Sequence, residues 1–302
     1  MTLENKDFLH LHFIVLIWGF TAILGLLITL PPVEVVFFRT LIASLGLVVL
    51  LYFQKRNFRL PIRAFWIIIG TGALIAIHWI TFFLSARLSN ASVCLAGMAT
   101  CSLWTSLLEP LAQKQKVKGF EVILSVIAFA GIGVIFNVEF SFLTGLLVAI
   151  FSAFISAVFT VINGKLSKRY DPFVITFYEM LGACVSILIF FPTYTTFFVE
   201  QILWVPTASD WLWLLILALA CTVYAYSASV ELMKRLSAFS INLVVNLEPV
   251  YGIILALVIF GSREEMSIEF YLGTGLILIS VSLYPVLNRR HRKKALTTDI
   301  IR

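Results

Sequence analysis

In 302 residues, 61% of them hydrophobic and 13% charged, with a net charge of +6 and a mean hydropathy of +1.01, there is too little polar surface to cover a water-soluble body of this size. Lipid is the solvent such a chain requires. A bilayer core of roughly 30 Å needs about 20 apolar residues per helix, so the length accommodates about ten crossings.

Apolar runs between charges, Pro and Asn fall at residues 11–30, 34–53, 64–84, 92–109, 120–138, 142–163, 172–192, 210–230, 240–261 and 269–287. They are too long and too uniformly apolar for the alternating pattern of a membrane barrel, and a helix satisfies every backbone group within its own segment. The expected fold is an all-α polytopic membrane protein of ten transmembrane helices.

The distribution of basic residues checks that count. With Met1 on the cytoplasmic side, that side receives Lys6; Lys55, Arg56, Arg59 and Arg63; Lys114, Lys116 and Lys118; Lys165, Lys168 and Arg169; Lys234 and Arg235; and Arg289, Arg290, Arg292, Lys293, Lys294 and Arg302, or 19 of the 22 Lys and Arg. Arg39, Arg87 and Arg263 remain at or near the outer side, with Glu139, Glu200, Asp210, Glu264, Glu265 and Glu269. Both termini are therefore expected in the cytoplasm and the protein in the inner, cytoplasmic membrane. The net charge follows from topology and calls for no nucleic acid. The run Arg289–Lys294 anchors the last helix and also suits anionic headgroups. The first apolar run is longer than a signal-peptide core and lacks a small-residue cleavage site, so it reads as a first helix.

Cys94, Cys101, Cys184 and Cys221 all fall in apolar segments without a Cys-x-x-Cys pair, which argues against metal or redox chemistry. Gly70/Gly72, Gly131/Gly133 and Gly273/Gly275 read as close helix crossings. They lack the preceding strand and third glycine of a nucleotide fingerprint. No cofactor is expected, and without a Walker loop direct ATP drive is excluded.

The chain repeats internally. A shift of 148 places Arg87-Leu88-Ser89 on Arg235-Leu236-Ser237, Ser92 on Ser240, Leu95 on Leu243, Glu121 on Glu269 and Leu124 on Leu272. A shift of 140 places Pro32 on Pro172, Phe37 on Phe177, Leu41 on Leu181 and Ala43 on Ala183. Two five-helix units follow, at residues 1–138 and 139–288, with a basic tail at 289–302. An odd number of helices per unit makes the second copy enter the membrane inverted. Such halves build transport sites near the midplane that open alternately to either face.

Trp18-Gly19 in segment 1, Arg39 after Pro32 in segment 2, Leu247-Glu248-Pro249 and Gly261 to Glu264 in segment 9, and Gly273 to Gly275 in segment 10 resemble the drug/metabolite transporter superfamily, in particular its ten-helix EamA-type permeases. The resemblance spans nearly the whole chain. It implies two repeats, a central cavity, and movement or export of small organic solutes such as amino acids. The first half departs from the pattern: Cys101 stands where Pro249 stands in the second, and Lys114 to Lys118 replace an acidic residue.

Ionisable groups inside a membrane are functional candidates by default. Glu248 lies near the middle of segment 9, and Pro249 beside it removes a helix donor and frees carbonyls of the preceding turn. The alternative for Glu248 is a structural hydrogen bond involving Asn246 or Asn242. Arg39 and Glu179 occupy equivalent repeat positions with opposite charge and are gating candidates, although inversion separates them and Arg39 also suits an interfacial anchor that snorkels outward. His78 and Tyr226 are a second symmetry pair. Proton transfer through His78 and simple hydrogen bonding of that residue both remain open. Trp18, Trp79, Trp104 and Tyr224 are candidate aromatic cavity walls, against a lipid belt that Trp66, Trp204, Trp211 and Trp213 suit better.

The expected function is a permease for small organic metabolites working by alternating access, with coupling to protons, substrate identity and oligomeric state open. A lipid-group transferase would need clustered acidic residues or a nucleophile with its base, yet Asp7, Asp171, Asp210 and Asp299 are all terminal or in loops. A non-transporting sensor would call for a signalling domain or a long ordered loop.

Overall fold

The computed structural model describes residues 3–116, 118–138, 140–245, 247–261 and 266–300, and every regular element among them is helical. Among the described residues, seven spans are long and apolar enough to cross a membrane: Lys6–Leu27, Pro32–Phe53, Ile62–Leu88, Ala91–Ala112, Leu143–Leu166, Pro172–Phe197 and Ala208–Leu232. The first is built from α1 (Leu3–Gly19) and α2 (Thr21–Leu27), followed by α3 (Pro32–Phe53) and α4 (Ile62–Leu88); the fourth joins α5 (Ala91–Met98) to α6 (Cys101–Ala112). After α7 (Gly119–Val138) come α8 (Leu143–Leu166), α9 (Pro172–Phe197), and α10 (Ala208–Ala218) running through a π-helical stretch, Leu219–Tyr224, into α11 (Ala225–Leu232). The chain ends in α12 (Ala238–Val245), α13 (Glu248–Phe260) and α14 (Ile268–Ile300). The expected segments at 120–138, 240–261 and 269–287 are thus helical, the second as two pieces.

Helix starts follow local chemistry. Asp171 caps α9 by accepting from the amides of Phe173 and Val174, with Pro172 in the first turn, where a missing N–H costs nothing. Asn90 caps α5 through Val93 N, and Thr207 with Asp210 forms a capping box on α10. The expectation that the seventh segment stops at Pro192 fails, because α9 continues through that proline to Phe197. The proline removes the helical donor to Leu188 O, and just beyond it the hydroxyls of Thr195 and Thr196 both donate to Pro192 O. The basic tail begins as a continuation of α14.

Glycines set the closest approaches, and only one of each predicted pair does so. A Cβ on Gly72 would lie 2.2 Å from Glu179 O, and one on Gly182 2.5 Å from Ile69 O, so α4 and α9 meet backbone to backbone. A Cβ on Gly131 would lie 2.6 Å from Gly273 O, joining α7 to α14. A Cβ added at Gly70, Gly133 or Gly275 would find open space; a GxG pair turns its two members about 200° apart, so both cannot face one neighbour.

Polar ties gather the two ends of the bundle. At one end Arg56 pairs with Asp171, and Arg235 grips Asp7 with both its Nε (2.6 Å) and Nη2 (2.8 Å). That hydrogen-bonded carboxylate pushes the Arg235 guanidinium up from its ordinary value. Lys165 donates to Ala112 O (2.6 Å), and Phe239 N donates to Glu109 Oε2 (2.9 Å). At the other end Asp210 accepts from Thr29 N (2.7 Å) and Thr29 Oγ1 (2.8 Å), and Arg87 donates to the carbonyls of Gly25, Ile28 and Leu30. Glu139, Arg263, Glu264, Glu265 and Arg302 lie outside the described residues.

Gly72→Leu is expected to force α4 from α9 and destabilise the protein by about 1–3 kcal/mol or more. Gly70→Leu, pointing into open space, should stay within about 0.5 kcal/mol of the parent. Thermal unfolding of the two variants in the same detergent checks the contrast.

Candidate functional site

A cavity of about 80 Å³ lies at the centre of the bundle, lined from both halves of the sequence by Trp18, Thr21, Arg39, His78, Trp79, Phe82, Met98, Ser156, Phe159, Thr160, Tyr226, Ser229, Met233, Ile241, Asn242, Val245 and Glu248. That volume holds a few waters and is below the few hundred Å³ of a drug-sized pocket.

Helix interruptions surround it. α1 stops at Gly19, and Thr21 Oγ1 turns back to Trp18 O (2.7 Å). α5 gives way to α6 at Ala99–Thr100, where the amide and hydroxyl of Thr100 both donate to Gly97 O; no proline is needed for the break. α12 gives way to α13 just before Glu248, with Pro249 in the first turn of the new helix. The fourth interruption is the π-helical stretch, whose wider winding frees backbone groups at this depth: Trp18 Nε1 donates to Cys221 O (3.0 Å).

Arg39 is 3% exposed. Its Nε donates to Thr222 Oγ1 (2.8 Å) in the π-helical stretch, and its guanidinium carbon lies 3.5 Å from the ring centroid of Trp79. This overturns the interfacial anchor: the side chain is sealed within the bundle because a hydroxyl and an aromatic face receive it there. Glu248 faces the same cavity, and its Oε1 lies 3.5 Å from Thr21 Oγ1, at the limit of a hydrogen bond. Neither Arg39 with Glu248 nor Arg39 with Glu179 forms an ion pair within 4.0 Å.

Glu179, fully buried, sits one layer behind the wall. Tyr226 Oη accepts from Asn163 Nδ2 (2.9 Å) and donates to Glu179 Oε2 (3.1 Å), while Glu179 Oε1 and Asn163 Oδ1 have no hydrogen-bond partner among the described residues. His78 is committed to Ser152: the Ser152 hydroxyl donates to His78 O (2.8 Å), so its oxygen, like Ser152 O, can only accept from Nδ1 (2.8 and 3.0 Å). Nδ1 therefore carries the hydrogen.

Asn242 donates to Thr105 Oγ1 (2.7 Å). Thr105 also lines a second basin, of about 300 Å³, with Glu109, Gln113, Lys168, Lys234 and Arg235 at the end of the bundle rich in basic residues. This hydrogen bond joins a side chain that lines the cavity to one that lines the basin.

Of the sequence candidates, Trp18, Arg39, His78, Trp79, Tyr226, Asn242 and Glu248 converge on the cavity. Two do not. Tyr224 is 42% exposed and bonds His10 (3.0 Å) on the outside of the bundle, because winding from Tyr226 by two residues turns a side chain to the opposite face. Trp104 packs edge-on against Phe154, away from the cavity. Asn246 lies outside the described residues. Sequence reading missed Thr21, Thr222, Ser229, Asn163 and the row Ser152, Ser156, Thr160. The row had a signal: hydroxyls at four-residue spacing on one face of an otherwise apolar segment.

Tyr226→Phe removes both hydrogen bonds and is expected to cost about 1–3 kcal/mol, whereas Tyr224→Phe should change stability by less than about 0.5 kcal/mol. Thermal melts of the purified variants test the difference.

The comparisons agree with the architecture. A solved crystal structure 17% identical to this chain superposes with a TM-score of 0.70, covering 95% of this chain and 98% of its own, so the fold is shared. An uncharacterized transporter of Archaeoglobus fulgidus is 26% identical over 305 residues, covering 96% of this chain and 100% of its own length. The uncharacterized transporter YxxF of Bacillus subtilis is 24% identical over 279 residues, covering 89% and 86%. The model of the EamA-like transporter family matches twice, at residues 9–137 and 143–284. This multi-pass membrane protein belongs to the EamA-like transporter family, whose members are transporters and not enzymes.

Proposed function

We propose that the protein is a permease for small organic metabolites such as amino acids, working by alternating access around the central cavity. The observation that carries the reading is the cavity itself: a buried cation, a buried carboxylate, hydroxyls and aromatic faces converge from both halves of the chain where four spans are interrupted. A solute bearing a carboxylate and an ammonium would meet Arg39 and Glu248, with apolar parts on Trp18, Trp79 and Phe82. The contracted cavity is then one state of the cycle, widening when solute enters.

The inverted five-helix arrangement has several supports. The family model matches each half. The break at Ala99–Thr100 falls, under the shift of 148, within one residue of the break before Glu248. The repeated Arg-Leu-Ser motif serves opposite ends of the bundle, Arg87 at the Asp210 end and Arg235 at the Asp7 end. Ten crossings with both termini cytoplasmic, in the inner membrane, also accord with the 19 basic residues on one side. In this reading the Asp210, Thr29 and Arg87 ties close the outer face, and Asn242 with Thr105 forms the thin inner gate. The coupling proton sits on Glu179, which has no cation partner within ion-pair distance among the described residues and reaches the cavity through the Tyr226 hydroxyl. His78 is already engaged by Ser152 and serves as structure.

Proteoliposomes challenged with a pooled set of labelled amino acids and metabolites, with and without a pH gradient, test this. Selective, gradient-responsive movement is expected; no movement of any solute by folded protein would overturn the reading. Glu248→Gln should lower transport roughly tenfold to a hundredfold, the loss of one charge-assisted bond to solute, with folding intact. Glu179→Gln should leave movement down a solute gradient in place and abolish its response to pH.

A further inference from the structure

At the end of the bundle rich in basic residues, the start of α4 and the end of α8 enclose a surface basin of about 730 Å³. Arg63, Lys165, Lys168 and Arg169 line it, with no Asp or Glu among its described lining residues. Ala64, Ile67, Ile162 and Leu166 form its apolar floor, with Tyr170 and Pro61 at the rim. The floor continues along the bundle surface, Ile67 being 43% exposed.

Local acids do not balance this charge. Asp171, the nearest carboxylate in sequence, is taken by Arg56. Lys165 spends one proton on Ala112 O, a neutral acceptor. Four like charges around one concavity repel one another, and an anion seated among them relieves that repulsion. A soluble anion would be served by the charges alone. A ligand with an anionic head and hydrocarbon chains uses the charges, the aromatic rim and the apolar floor together, and basic pockets between membrane helices recur as headgroup sites.

We propose that this basin is a binding site for an anionic phospholipid, its phosphate among Arg63, Lys168 and Arg169 and its acyl chains along Ile67 and Ile162. The site is separate from the central cavity and does not depend on what the protein transports. Lys168 also lines the basin beyond the Asn242–Thr105 gate, so an occupied lipid site draws on a side chain at the mouth of the transport path.

Native mass spectrometry of the full-length detergent-solubilised protein with added phosphatidylglycerol or phosphatidylcholine tests the proposal. Retention of phosphatidylglycerol in preference to phosphatidylcholine is expected, and the double variant Arg63→Gln/Arg169→Gln should lose about tenfold or more of that preference. Both side chains are exposed, so the variant is expected to fold, which its melting curve verifies. A control, Lys55→Gln/Arg59→Gln, removes two exposed charges from the neighbouring loop outside the basin and should keep the preference. Equal retention of the two lipids, an unchanged double variant, or an equal loss in the control would overturn the site. Displacement of bound lipid by millimolar glycerol phosphate would also overturn it, since the basin would then hold a phosphate without needing its chains.

Discussion

A guanidinium held at 3% exposure inside an apolar helix bundle is the constraint around which the centre of this protein is arranged. An unpaired buried charge is expensive, and here no carboxylate among the described residues lies within ion-pair distance of Arg39. The bundle receives it by other means: the Trp79 face lies beneath it, Thr222 accepts from it, and the π-helical stretch that presents Thr222 also supplies the carbonyl that anchors Trp18. Three spans are therefore fixed to one another through a single cation. The carboxylate of Glu248 lines the same cavity without closing on it.

The same economy governs the interrupted helices. Breaking a helix in apolar surroundings exposes backbone groups, which is tolerated only where protein or a cavity satisfies them. The breaks at Phe20, Ala99–Thr100, Leu219–Tyr224 and before Glu248 all flank residues that line the cavity, and hydroxyls of Thr21, Thr100 and Thr222 bond carbonyls at the first three. Away from the cavity the helices meet at glycine contacts, as at Gly72 and Gly131.

Much of this was legible in the chain. Apolar runs marked where helices form, and the repeat singled out equivalent positions. Ionisable residues in those runs led to Arg39, His78, Tyr226 and Glu248, because each must be satisfied internally. What periodicity could not convey was which face each residue takes. Tyr224 and Tyr226 differ only by the turn between them, and a π-helical stretch resets the register without any proline or glycine to announce it. The break at Thr100 was hidden for the same reason, since Thr-to-carbonyl bonding replaces the proline found in the second half. The membership of Thr222 and Asn163 in the central network depends on neighbours 183 and 63 residues away in sequence, which no local pattern encodes.

The central claim is that one cavity communicates with both faces of the membrane in turn. Ser229 lines that cavity and is 2% exposed, so a cysteine placed there, with the four native cysteines replaced, reports on access directly. Membrane-impermeant thiol reagents applied to right-side-out and inside-out vesicles should label Ser229→Cys from both sides, at rates that shift in opposite directions when a transported solute is added. Labelling from one side alone, whatever solute is present, would contradict alternating access.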